Sequence, residues 1–217
     1  MKVLAINGSP RKNGNTATLL NKAREGAISQ GAEVELIHLY DLEYKGCNSC
    51  FACKLKNGKS YGKCAVKDDL TPIFKEIKEA DGLILGSPIY DGSVTGEMAS
   101  FLEGLIFPLV AYDANVSSLS DKKMPTAFIY TMNANEQSAE RLGYSKHLNI
   151  VGGALNRIFG STESMFVYDT QQFDDYSEYV ADLFDPVKKA KRREEVFPVD
   201  CEKAFEMGAR FGKQDKK

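Results

Sequence analysis

The feature that most constrains this fold is a set of short apolar runs without polar alternation, each followed by a segment of helical period. Val3-Leu4-Ala5-Ile6, Leu83-Ile84-Leu85 and Ala127-Phe128-Ile129-Tyr130 are continuous apolar stretches. A strand with one wet face alternates apolar and polar residues, whereas a continuous run fits a parallel strand covered by helices on both faces. Five runs are expected as strands: Lys2–Ile6, Val34–Leu39, Gly82–Gly86, Thr126–Thr131 and Met165–Tyr168. The second, with Glu35 and His38 interleaved, reads as an edge.

The segments between them carry helix signals. Asn15 or Thr16 is expected to cap a helix containing Leu19, Leu20, Ala23 and Ala27. Asp68-Asp69 opens another, in which Leu70, Ile73, Phe74 and Ile77 follow the i, i+3, i+4, i+7 pattern and Pro72 sits harmlessly in the first turn. Further helices are expected over about 96–112, about 136–159 and within 186–212. Strand–helix alternation with right-handed crossovers gives an α/β doubly wound sheet, with helices on both faces. Five strands of this length suggest the order 2-1-3-4-5. Residues 1–217 read as one domain, with a cysteine-rich loop at 44–65 and a C-terminal extension from about 170.

Charge narrows the function classes. Lys and Arg number 28 against 30 Asp and Glu, a net charge of −2. Nucleic-acid binding needs a concentrated positive field, so no such partner is expected. The basic run Lys188–Arg193 is followed by Glu194-Glu195 and reads as a solvated helix face. The longest apolar stretch, Leu105–Tyr112, contains Pro108 and falls short of the roughly 18–20 residues of a spanning helix. The N-terminus turns polar at Asn7, too early for a signal peptide. A cytoplasmic location and no membrane partner are therefore expected.

Two strand exits carry binding chemistry. After the first strand comes Asn7-Gly8-Ser9-Pro10-Arg11-Lys12-Asn13-Gly14-Asn15-Thr16, a loop ending at a helix N-terminus, where free N–H groups favour an anion. Ser9, Asn13, Asn15 and Thr16 add short donors and Arg11 a charge. The loop is neither a dinucleotide fingerprint nor a Walker A loop, and a single monophosphate fits it best. After the third strand, Pro88, Ile89, Tyr90, Asp91, Gly92 and Ser93 offer apolar, aromatic and backbone surface. In the order 2-1-3-4-5 this loop lies beside the first, across the switch point where ligands bind. Thr131, Met132, Asn133, Ala134 and Asn135 follow the fourth strand and can close the same pocket. The three loops describe a site for a planar mononucleotide, with FMN the obvious candidate.

At these residues the chain resembles a known family. Gly8-Ser9-Pro10-Arg11 with Asn15-Thr16, then Cys64 with Asp68-Asp69-Leu70, then Ala80-Asp81 with Gly86-Ser87-Pro88-Ile89-Tyr90 are similar to the flavodoxin-like NAD(P)H-dependent FMN reductases, and within them to the iron-sulfur flavoproteins. The resemblance covers roughly residues 1–170. It implies a flavodoxin-like fold, with Ser9, Arg11, Asn13, Asn15 and Thr16 on the FMN phosphate. It also implies that Pro88, Ile89, Tyr90 and the 131–135 loop line the flavin ring, and that the protein forms a homodimer or homotetramer. One departure lies at Glu103-Gly104, where the family often carries an Asp-Arg pair.

Four of the five cysteines fall between Cys47 and Cys64. An odd count clustered in one loop is not a disulfide framework. Cys47, Cys50 and Cys53 at equal spacing, with Cys64 further on, can ligate a [4Fe–4S] cluster. A four-cysteine zinc site and free or redox-active thiols are the alternatives. Iron-sulfur flavoproteins carry a similar loop before the same Asp-Asp helix, though with a shorter last gap. Cys201, His38 and His147 stand alone and read as structural.

The activity this implies is FMN-dependent oxidoreduction. Electrons pass from NAD(P)H to a quinone, nitro compound, flavin or redox protein, and the cofactor carries the chemistry, so no catalytic residue is assigned. Two other readings stand beside it: an iron-sulfur flavoprotein working with ferredoxin, and a zinc-stapled regulator that binds a phosphate ligand.

Overall fold

The structure, a computed structural model, describes residues 1–213; the last four residues of the expected domain lie outside the described ones. In chain order the elements are β1 (Lys2–Asn7), α1 (Asn15–Ser29), β2 (Glu33–His38), α2 (Leu70–Glu79), β3 (Gly82–Tyr90), β4 (Ser93–Val94) and α3 (Gly96–Leu109). They continue with β5 (Met124–Thr131), α4 (Glu136–Arg141), α5 (Tyr144–Phe159), β6 (Gly160–Val167), α6 (Pro186–Glu195) and α7 (Phe197–Gly212).

Five strands pair in parallel in the order β2-β1-β3-β5-β6, which is the expected 2-1-3-4-5. β1 lies between β2 and β3, pairing Ala5 with Leu36 on one side and with Ile84 on the other. The period of two divides each continuous run between two cores. Leu4, Ile6, Leu83, Leu85, Phe128 and Tyr130 face α2, α3 and α5. Val3, Ala5, Ile84, Ala127 and Ile129 face α1 and α7. That two-sided burial is why these runs lack polar alternation.

A sixth strand was not expected. β4 pairs antiparallel with the end of β3, Ile89 opposite Val94 and Tyr90 opposite Ser93. The turn between them puts Asp91 at φ 49° and Gly92 at φ 81°, the left-handed pair that a two-residue hairpin requires. β6 also begins earlier than Met165, because an edge strand tolerates the polar Ser161-Thr162-Glu163-Ser164. Two expected helices are split. The segment 136–159 breaks at Gly143, φ 74°, into α4 and α5. The last helix breaks between Glu195 and Phe197 into α6 and α7, with Pro198 in the first turn of α7.

The charge run 188–193 is the solvated face expected at Lys188, Lys191 and Arg193, which are exposed, but not at Lys189 and Arg192. Lys189 is only 4% exposed, its ammonium bound to Asp169 and to the Asn133 carbonyl. Arg192 bonds Asp200 at 2.6 Å. α7 packs on α1 nearly backbone to backbone: a Cβ on Gly208 would fall 1.7 Å from the Ala23 carbonyl oxygen, and one on Gly26 would fall 1.9 Å from that of Phe205. Among the described residues, no helix is long and apolar enough to cross a membrane.

Candidate functional site

The β1–α1 loop is built by its own polar groups. Asn7 is fully buried; its Oδ1 accepts the Ser9 N–H at 3.0 Å, and its Nδ2 meets His38 Nδ1 at 2.9 Å. Ser9 Oγ accepts the Arg11 N–H at 3.1 Å. The Gly8 N–H donates to the Gly86 carbonyl at 2.8 Å, and a Cβ on Gly8 would meet the Met98 side chain at 2.8 Å. The loop is thus pressed against the exit of β3. Neither Asn15 nor Thr16 caps the helix it feeds. The cap is Gly14, which offers no side-chain bond, so first-turn N–H groups of α1 stay available to an anion. Thr16, 2% exposed, turns inward to share a 2.8 Å hydrogen bond with Thr131, which ties the phosphate loop to the end of β5.

These strand exits enclose one cavity of about 540 Å³, within the size range of cofactor sites. Ser9, Arg11, Asn13, Asn15 and Thr16 form one wall; Pro88, Ile89 and Tyr90 form a second; Thr131, Met132 and Asn133 form a third. The rest of the expected ring-binding set lies off the lining. Asp91 and Gly92 make the hairpin turn, with Gly92 close under the Tyr144 ring, and Ser93 is in β4. Asn135 caps α4 by accepting the Ser138 N–H at 2.8 Å, and the Ala134 carbonyl accepts the Asp169 N–H at 2.8 Å.

A fourth wall was not foreseen. Thr170, Gln171, Gln172, Phe173 and Asp174 cross the cavity mouth, joined by Arg193 from α6, with Lys12 and Gly14 on the phosphate side. Arg11 donates to the Gln172 carbonyl at 2.6 Å, Asn15 Nδ2 to the Gln171 carbonyl at 2.8 Å, and Asn133 Nδ2 to Gln172 Oε1 at 2.8 Å. Behind the strap, Phe173 stacks on Tyr179 with centroids 3.9 Å apart and meets Tyr176 edge-on. The aromatics of the extension therefore pack on one another. The sequence signal for the strap was the rule already used for the other exits, since it too leaves the carboxyl end of a parallel strand.

The cavity suits FMN on two counts. The uncapped α1 terminus with Arg11 beside it favours a phosphate. On the third wall Asn133 Oδ1 is buried without a hydrogen-bond partner among the described residues. A buried acceptor left unpaired costs about 1–3 kcal/mol, and the imide N–H of a flavin ring is a donor of the kind it lacks.

The cysteine loop is a separate feature. Cys47, Cys50, Cys53 and Cys64 line one small hollow of about 30 Å³, together with Glu103 and Phe107. Glu103 Oε2 accepts the Cys47 N–H at 2.8 Å, while a Cβ on Gly104 would meet the Phe74 ring at 2.8 Å. Glu103-Gly104 thus has its own local use: one residue holds the cysteine loop and the other admits an aromatic ring. Lys54 donates to the Phe107 and Val110 carbonyls at the end of α3 and lies over the Phe107 and Tyr112 rings; burial pulls its pKa down. Burial pushes the Cys53 thiol up. Four thiols are the right donors for an iron-sulfur cluster. Yet among the described residues no three Cys, His, Asp or Glu side chains converge closely enough to hold a metal ion. The donor set fits in kind but its arrangement does not, and no chemical step is derived through such a cluster. Cys201 lies apart in α7, its thiol also raised by burial.

Comparison with known proteins agrees with this geometry. The chain is 43% identical over 103 residues to an iron-sulfur flavoprotein of Methanocaldococcus jannaschii, a match covering 48% of this chain and 51% of the relative. An iron-sulfur flavoprotein of Archaeoglobus fulgidus is 44% identical over 103 residues, 48% of each chain. The matches thus span about half the length of these curated relatives. Among solved structures, an NAD(P)H:quinone oxidoreductase from Methanothermobacter marburgensis superposes with a TM-score of 0.72 over 99% of this chain and 98% of that one, at 13% identity. An azoreductase from Bacillus anthracis gives 0.67 over 97% and 100%, at 15% identity. At such identities the likeness is one of fold, and the fold is flavodoxin-like. Residues 1–149 match the model of the NADPH-dependent FMN reductases, and the chain belongs to that family.

Proposed function

We propose that this chain is an FMN-dependent oxidoreductase that takes electrons from NAD(P)H and delivers them to a quinone, flavin, nitro compound or redox protein. The observation that carries this reading is a single cavity with an uncapped helix terminus and Arg11 at one end and the unpaired Asn133 Oδ1 on another wall. FMN bound there would supply hydride and single-electron transfer. The protein's own groups bind and orient. Ser9, Arg11 and the first N–H groups of α1 hold the phosphate, while Pro88, Ile89 and Tyr90 form a flat wall for the ring. Asn133 Oδ1 would accept a hydrogen bond from the ring imide N–H. The strap, bonded to Arg11 and Asn15, would lie beside the phosphate. Tyr90 is 51% exposed, which leaves an approach for the nicotinamide and the acceptor. We further propose that residues 1–217 act as one domain, assembled as a homodimer or homotetramer in the cytoplasm.

Titration of the apoprotein by flavin fluorescence tests this. The native chain is expected to bind FMN one to one. Arg11→Ala should weaken binding about tenfold, the low end for a hydrogen bond to a charged group. A chain that takes up no FMN, or an Arg11→Ala variant that binds it equally well, refutes the assignment.

A second reading, an iron-sulfur flavoprotein working with ferredoxin, rests on the kind of donors present, four thiols in one loop, and not on their arrangement. Iron, sulfide and zinc assays on anaerobically purified protein separate it from the first.

A further inference from the structure

Arg193 lies outside the family-matched residues 1–149, yet it lines the same cavity as Ser9, Arg11 and Gly14. Its Nη1 donates to Asn15 Oδ1 at 2.9 Å, and its guanidinium sits 4.1 Å from the centroid of the Phe197 ring. One hydrogen bond and one stacking face orient this exposed fork, which leaves its other N–H groups unpaired among the described residues.

The neighbouring cations of α6 each lie beside a carboxylate, closely for Lys189 and Arg192 and loosely for the exposed Lys188 and Lys191. Lys189 is bound to Asp169, Arg192 to Asp200, Lys188 lies beside Asp185, and Lys191 beside Glu195. Arg193 forms no ion pair among the described residues, and neither does Arg11, whereas Lys12 is paired with Asp41. The cavity therefore holds two arginines without carboxylate partners. Asp174, the carboxylate in its lining, pairs with neither.

Asn15 is committed at both ends of its amide. Nδ2 donates to Gln171 and Oδ1 accepts from Arg193. A side chain that the motif suggests for phosphate binding instead works as a bracket that presents Arg193 to the cavity.

We propose that Arg193 is a second phosphate-binding cation, contributed by the C-terminal extension, which with Arg11 and the α1 terminus forms a clamp for the phosphate monoester of FMN. The proposal rests on the reading of the cavity as an FMN site. A dianionic monoester meets two planar forks there, each able to donate two parallel N–H bonds.

The test compares FMN with riboflavin, which has the same ring and no phosphate, with no nicotinamide nucleotide present. Native protein should bind FMN much more tightly than riboflavin. Arg193→Met keeps an apolar stem on Phe197; it should weaken FMN about tenfold and leave riboflavin unchanged. Arg193→Lys, which keeps the charge and loses the fork, should fall between. If Arg193→Met retains the full preference for FMN, or loses both flavins equally, the clamp is refuted. If the native protein itself shows no preference for FMN, the FMN reading fails, and the clamp fails with it.

Discussion

Replacing Gly208 by Ala sets two calculable effects against each other. Gly208 lies inside α7, and on helix propensity alone Ala is better there by about 0.8–1.0 kcal/mol. The packing says the reverse. The new Cβ would fall 1.7 Å from the Ala23 carbonyl oxygen and 2.5 Å from its carbon, and helix backbone is not the movable end of a side chain. To recover an ordinary contact the two helices must part by roughly 1.5 Å, while a gap of about 0.5–1 Å already forfeits a quarter to a half of the dispersion energy across it. Met207 and Phe211, 3% exposed each, and Ala204, fully buried, lie in that interface. Overpacking of this kind costs about 1–3 kcal/mol, and the upper end applies where neither side yields. Net of propensity, Gly208→Ala should destabilise by about 2 kcal/mol, a fall of roughly 4–8 °C in a chain of this size. The chain has no Trp, so urea unfolding is best followed by circular dichroism. Gly153 in α5 is the control: a Cβ there meets nothing within 4 Å, and Gly153→Ala should stabilise by about 0.5–1 kcal/mol. If Gly208→Ala equals or exceeds the native stability while Gly153→Ala behaves as expected, the backbone-to-backbone contact is wrong.

Two further outcomes follow from the thiols and the charges. Cys53 is buried with its thiol pushed up, whereas Cys47 and Cys50 are exposed; brief alkylation at neutral pH should mark Cys47 and Cys50 before Cys53 by mass spectrometry, and equal labelling would contradict the burial. The Asp81 carboxyl is held below its usual range by the Lys2 backbone N–H and then by the Lys122 ammonium. Its stabilisation is therefore complete above the ordinary carboxylate pKa and is lost as pH falls through the depressed folded value. Asp81→Asn should cost under about 1 kcal/mol at pH 6, since the pair is partly exposed, and should reduce the slope of stability against pH below about 4. An unchanged slope in urea titrations would remove Asp81 as a source of acid sensitivity.

What could be read in advance was whatever depends on near neighbours in sequence. Val3–Ile6, Leu83–Leu85 and Ala127–Tyr130 announce two-sided burial in their own composition, and the Gly8–Thr16 loop carries its donors within one turn. The hairpin at Asp91-Gly92 was also legible, since Asp-Gly is a hairpin dipeptide, but the apolar run before it read as a strand ending at Gly86. The start of β6 was hidden because an edge strand needs no apolar run. Lys189 read as solvent-facing because its partner, Asp169, lies 20 residues away. The strap was least legible of all: Arg11 and Gln172 are 161 residues apart, and no local pattern in Gln171-Gln172-Phe173 announces which loop it will cover.

The α1–α7 contact has a consequence for tracing the extension through other chains. Gly208 sits on Ala23, Gly212 on Ala27, and Gly26 against the Phe205 and Ala209 backbone, so the docking code is a set of small residues at helical spacing on two helices some 180 residues apart in sequence. That set begins about two turns along α1 from the phosphate loop and shares none of its residues, so it can be gained or lost without changing the loop's sequence. A relative with the phosphate loop intact but bulky residues at these positions will hold its C-terminal segment elsewhere, whatever its cofactor.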